Sequence, residues 1–154
     1  MKYPIVYQEG GNMSYKLFNE KFRDLIYYKS SFNKEYPEGW IFTGSSALMV
    51  YAYAFLTEEE FKRIPVPNDV DVLIHFDHDR TRRFRPTVPN KTLTIDFPDQ
   101  RSVFKRTQDQ GYSGVTFRNE QGLEIDARME VTNRMKTTLY DLPIITAQKL
   151  FENL

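Results

Sequence analysis

Residues 67–76 read Pro-Asn-Asp-Val-Asp-Val-Leu-Ile-His-Phe. Behind the proline and asparagine, acidic and apolar side chains alternate, which is the period of a strand with one buried face. Val70, Val72 and Ile74 fall on one side, and Asp69, Asp71 and Leu73 on the other. Such a strand requires a sheet with an apolar layer behind it. It also brings two carboxylates to the same side, roughly 6–7 Å apart along the backbone. Left alone they repel each other, and a cation held between them removes the repulsion.

The neighbouring segments supply the rest of a sheet and its helices. Ser14 to Tyr28 sets Leu17, Phe18, Phe22, Leu25 and Ile26 at helical spacing, with Ser14 placed to cap the helix. Residues 30–39, rich in Ser, Asn, Pro and Gly, read as loop. Trp40 to Thr43 is an aromatic and β-branched run that stops at Gly44, and it reads as a buried strand. Ser45 to Leu56 is apolar nearly all round, which predicts a buried helix, and Thr57 with Glu60 has the spacing of a capping box for a short second one.

Residues 77–91 are charged and proline-bearing and read as an exposed loop, followed by a strand in residues 91–97. Residues 114–119 and 122–131 read as the arms of a β-hairpin around Asn119-Glu120-Gln121-Gly122. From Leu142 onward the chain predicts a strand-like start, a Thr146 cap and a closing helix. Together these elements predict an α/β (α+β) fold in a single domain, residues 1–154. Its mixed sheet has roughly four to six strands, with helices mainly on one face.

Composition limits the chemistry. The chain has no cysteine and two histidines, so disulfides and thiolate zinc sites are excluded and a metal must be held mainly by oxygen. Formal net charge is zero, which gives no global basic footprint. No run approaches the roughly 18–20 apolar residues of a membrane helix, and the N-terminus lacks the apolar core of a signal peptide. A cytoplasmic protein without a membrane partner is the expectation.

Oxygen ligands at a strand end suit Mg²⁺, which takes a few carboxylates together with substrate phosphates and water. Asp69 and Asp71 are the first candidates for catalysis and metal binding. Asp126, in Leu-Glu-Ile-Asp-Ala-Arg-Met, is the best third carboxylate; Asp96 competes with it and Glu124 is a weaker choice. Gly44 and Ser45 stand at a strand-to-helix junction, where a glycine permits close approach and the first N–H groups of the helix attract an anion. They are candidates to hold phosphate, with the Ser45 hydroxyl as a further donor. Arg80, Arg82, Arg83 and Arg85 form a basic run, and Arg82 is the candidate among them for a nucleotide contact. His75 and His78 read as surface or packing residues.

Gly44-Ser45 before a helix, then Asp69-Val70-Asp71 ahead of Val72-Leu73-Ile74, then Asp126, resembles the DNA polymerase β-like nucleotidyltransferase superfamily. The Leu142-Pro143 stretch leading into a helix is similar to minimal and AbiEii-type members. The resemblance covers about Trp40 to Leu154. It implies the nucleotidyltransferase fold, Mg²⁺ (or Mn²⁺), and transfer of a nucleoside monophosphate from a triphosphate such as ATP to a hydroxyl acceptor, with release of pyrophosphate. Gly44 and Ser45 would hold the β and γ phosphates, Asp69 and Asp71 the metals, and Asp126 the catalytic metal and the acceptor hydroxyl.

Two features depart from the family. Residues 57–68 lengthen the spacing between Gly-Ser and Asp-x-Asp, and no helical substrate domain follows, so a helical partner protein is expected to supply it. The acceptor is left open among a protein side chain, an RNA or DNA end and a small molecule. A non-catalytic nucleotide- or partner-binding module on the same fold is the alternative function, and a metal-dependent nuclease the next.

Overall fold

The structure is a computed structural model of the 154-residue chain and describes residues 12–37, 39–61, 63, 67, 69–74, 92–109, 114–129 and 135–152. Helix α1 spans Asn12–Glu35 and places Phe22, Leu25, Tyr28 and Phe32 on one buried stripe. It runs through the Ser-Ser-Phe-Asn segment that reads as loop, and Ser14 lies inside it and not at its cap. The reason is Phe32, fully buried one helical repeat beyond Tyr28: burying that ring outweighs the modest helix propensities of Ser and Asn. Ser30 is absorbed by a bond to the Ile26 carbonyl, and Ser31 reaches across to the Thr94 carbonyl at 2.7 Å.

Strand β1 (Trp40–Phe42) leads directly into α2 (Gly44–Phe55), followed by α3 (Glu58–Phe61) and β2 (Asp69–Ile74). The capping box forms as its spacing predicts: Glu60 N donates to Thr57 Oγ1, and the Thr57 backbone N–H donates to Glu60 Oε1. Then come β3 (Thr92–Asp96), β4 (Arg101–Asp109), β5 (Gly114–Arg118), β6 (Glu124–Met129), β7 (Lys136–Leu139), β8 (Leu142–Ile145) and α4 (Ala147–Glu152). Thr146 caps α4, its Oγ1 accepting from Lys149 N.

The strands form one sheet in the order β3-β4-β5-β6-β2-β1-β8-β7. Within it β2 runs parallel to β6 and β1 parallel to β8, and the other neighbours are antiparallel. The sheet is mixed, as expected, but among the described residues it has eight strands where the sequence predicts four to six. The additional ones are β4 and β7. Only Phe104 gives β4 a large buried apolar side chain, and β7 is Lys-Thr-Thr-Leu with no buried residue, so neither shows a hydrophobic period.

Helix α1 and the Met49, Val50 and Tyr53 side of α2 cover one face. Beneath them Trp40, Phe42, Val72, Ile74, Phe104, Phe117, Ile125 and Ile144 form the main core. Its rings meet edge to face, Phe32 on Trp40 at 5.1 Å and Trp40 on Phe42 at 4.9 Å. On the opposite face a small second cluster of Ile41, Leu73 and Ile145 packs under Ala47 and Leu150. That apolar layer ends at β2. Beyond it, toward β6, β5, β4 and β3, the second face carries polar side chains. No helix among the described residues is long and apolar enough to cross a membrane.

Candidate metal centre

The site begins with the register of two parallel strands. Residues of β2 face those of β6 in the pairs Asp69 with Glu124 and Asp71 with Asp126. Because opposite residues share a face, all four carboxylates lie on the side away from α1. One oxygen each from Asp69, Asp71 and Asp126 lies within 4.8 Å of the others. The structure therefore unites the three carboxylates singled out in the sequence. Asp96 goes elsewhere, to an ion pair with Arg101 at 2.8 Å at the far edge of the sheet. Glu124 pairs with Arg118 on β5.

Each carboxylate has a different support. Asp126 Oδ1 accepts from Thr116 Oγ1 at 2.8 Å, across the β5–β6 hairpin. Asp71 Oδ2 accepts from both the backbone N–H of Ser45 (3.0 Å) and its hydroxyl (2.8 Å). The backbone of Asp71 is held as well: its N–H donates to Ser46 Oγ, and its carbonyl accepts from Thr43 N. Thr43 occupies the N-cap position of α2 but makes no side-chain cap bond. Asp71 performs that task from the adjacent strand, placing negative charge on an otherwise unpaired N–H at the positive end of the helix.

Gly44 is required by this closeness. Its φ of +52° is left-handed, and a Cβ there would sit 2.5 Å from Asp71 Oδ2. The sequence reading assigns the Gly44-Ser45 turn to phosphate. In the structure both donors of Ser45 already meet the carboxylate, so the turn also positions Asp71.

The electrostatics are those of a crowded acidic cluster. Asp69 is pushed up to about 6, first by burial, then by the hydrogen bond it shares with Asp126, then by the charges of Asp71, Asp126 and Glu124. Burial raises Asp71 too, against the lowering effect of the Ser45 hydrogen bonds; the charge of Asp126 adds to the rise and that of Arg128 opposes it. Lys21 on α1 is half-buried; burial lowers its pKa while Asp24 and Asp69 raise it.

Sequence reasoning misses Thr116 and Ser46 as neighbours of the site. Thr116 was open to discovery, since the Asn119–Gly122 turn sets a register in which 116 faces 126. The turn itself is closed by Asn119 Oδ1, which accepts from Gln121 N and Leu123 N. Ser46 carries no comparable local signal. Arg82, with Arg80, Arg83, Arg85, His75 and His78, lies outside the described residues.

Chemically, three carboxylate oxygens in one small space, with no nitrogen or sulfur among them, fit a hard divalent cation. Such an ion would offset the like-charge repulsion and the desolvation that raise Asp69.

No known family model matches the chain, and no curated protein matches it. Two solved structures from Helicobacter pylori are similar in part. One is JHP933, at 13% identity and a TM-score of 0.40, with 96% of this chain covering 57% of that one. The other carries a provisional description as a nucleotidyltransferase, at 12% identity and a TM-score of 0.42, with 96% covering 58%. The chain thus spans little more than half the length of either.

Proposed function

We propose that this chain is a Mg²⁺-dependent nucleotidyltransferase, moving a nucleoside monophosphate from a triphosphate to a hydroxyl acceptor. The observation that carries the reading is the convergence of Asp69, Asp71 and Asp126 within 4.8 Å, beside the Gly44-Ser45 start of α2. Asp69 and Asp71 would hold both metals, and Asp126 the one nearer the acceptor. When bound, the ions supply activation of the acceptor hydroxyl and stabilisation of the leaving pyrophosphate in an in-line displacement.

The chain's own residues do the rest. Thr116 fixes the orientation of Asp126, which faces the acceptor hydroxyl and takes its proton as the acceptor oxygen bonds to the α-phosphorus. The bond from that phosphorus to the bridging oxygen breaks, and pyrophosphate leaves with the electron pair. Ser45 holds Asp71 in place, and its hydroxyl is within reach of an arriving phosphate, to which the start of α2 offers its positive end.

Incubation with Mg²⁺, each α-labelled nucleoside triphosphate and a cell lysate tests the reading. Label should pass to an acceptor with the native chain and fall to background with Asp69→Ala or Asp71→Ala, both still folded by circular dichroism. Retained transfer in both variants overturns it. Calorimetry separates the enzyme from a binding module on the same fold, because an enzyme binds triphosphate in a metal-dependent way.

A further inference from the structure

On the same face as the carboxylates, one row of side chains runs in register across the sheet. Thr92 on β3 faces Lys105 on β4, Lys105 faces Arg118 on β5, Arg118 faces Glu124 on β6, and Glu124 faces Asp69 on β2. Thr92, Lys105 and Arg118 are exposed. The apolar cluster of this face stops at Ile41, Leu73 and Ile145, so among the described residues no helix packs over the row.

The row has a feature that stability does not explain. Lys105 and Arg118 stand directly opposite each other, and like charges in that relation weaken a β-pair. Arg118 gives its Nε and Nη2 to a single oxygen of Glu124, which leaves Nη1 turned to no partner among the described residues. Lys105 makes no ion pair among them. Arg101 and Arg128 lie on the same face by alternation, and the cations of this face outnumber its carboxylates outside the metal centre.

Resting on the nucleotidyltransferase reading, we propose that this open face, from Lys105 and Arg118 to Asp69, seats a single-stranded nucleic-acid end as the acceptor. With strands about 4.8 Å apart, Arg118 and Lys105 stand about 10 and 14 Å from Asp69 across the sheet. A terminal hydroxyl at the carboxylates then leaves the phosphodiesters behind it over the two cations. A small acceptor would not extend so far, and a polypeptide is negative only where acidic residues occur, whereas every phosphodiester of a nucleic-acid strand carries a charge. The described part of the face over β3 to β6 carries threonines and Val103 but no aromatic ring, so contact is made to the backbone and tolerates any base sequence.

Fluorescence anisotropy with labelled single-stranded RNA and DNA homopolymers, in Mg²⁺ buffer over a range of KCl, tests this. Lys105→Glu and Arg118→Glu should each weaken binding by about tenfold or more. Lys105→Gln should weaken it less and flatten the plot of log affinity against log salt by about 0.7, the value of one lost phosphate contact on a single strand. Lys149→Glu on α4 should bind as the native chain does. Native binding of neither polymer, affinity indifferent to both charge reversals, or lysate label found only on protein overturns the proposal. Triphosphate binding by the native chain is measured separately. If triphosphate binds while Lys105 proves irrelevant to the polymer, only this inference falls. If the polymer binds through Lys105 and no triphosphate binds, the cationic face stands and the catalytic reading falls.

Discussion

Asp71 and Val72 are adjacent in the chain and live under opposite rules. Val72 is wholly buried in the aromatic core under α1, where each ring is held by its neighbours and nothing ionises. Asp71 faces the other way, among like charges that work against folding and are kept there by Ser45, Ser46 and Thr43. The same contrast repeats on β6 between Ile125 and Asp126, and on β5 between Phe117 and Thr116. One layer of backbone carries both, so stability and chemistry should respond to mutation almost independently, according to which side of the sheet is touched.

The strongest way to break that contrast is a paired substitution on the β5–β6 hairpin. Phe117→Ala, with its side chain fully buried, should cost about 3–5 kcal/mol in urea unfolding while the folded fraction keeps its metal affinity. Asp126→Ala should do the reverse, leaving the midpoint near the native value and abolishing transfer. Loss of stability in both would show that the two faces are coupled.

Metal and proton sharpen the comparison further. Asp69 has its folded pKa raised to about 6 from the ordinary 3.8, so between roughly pH 4 and 6 the folded chain holds a proton that the unfolded chain has released. Its contribution to stability therefore declines as pH rises through that window. Mg²⁺ at about a hundredfold over its dissociation constant should return about 2.7 kcal/mol at pH 7.5, read as a higher melting temperature. At pH 5 the proton competes and the gain should shrink. A gain independent of pH would detach Asp69 from the metal.

Gly44→Ala tests the seam where the faces meet. The left-handed φ alone costs about 1–2 kcal/mol, and the added methyl must push Asp71 aside, so metal affinity should fall along with stability. Ser45→Ala should be milder, about 1 kcal/mol for the lost hydroxyl bond with the backbone N–H still in place. A larger effect of Ser45→Ala on triphosphate binding than on stability would assign its hydroxyl to phosphate as well as to Asp71.

The carboxylates were legible in the sequence because alternation is local: Asp69, Asp71 and Asp126 each sit in a run whose apolar neighbours declare the opposite face. Gly44-Ser45 was legible as a strand-to-helix junction, though not as the clamp on Asp71, since that contact joins residues distant in sequence. The extension of α1 to Glu35 depended on where the ring of Phe32 lands, and the local Ser and Asn content pointed the other way. Strands β4 and β7 were hidden because a strand at or near the margin of a sheet with an open face has little apolar surface to advertise. The cationic row was hidden for the same reason: it belongs to the β4 register, and without β4 there is no row.

The parallel pairing of β2 with β6 has a consequence in time as well as in space. Asp71 and Asp126 meet only when a long intervening chain has been closed, and such non-local contacts form late because loop-closure entropy must be met first. A chain still folding has no metal centre to offer. Divalent ions should accordingly leave the refolding rate nearly unchanged and slow unfolding, acting as a latch on the finished sheet and not as a template for it.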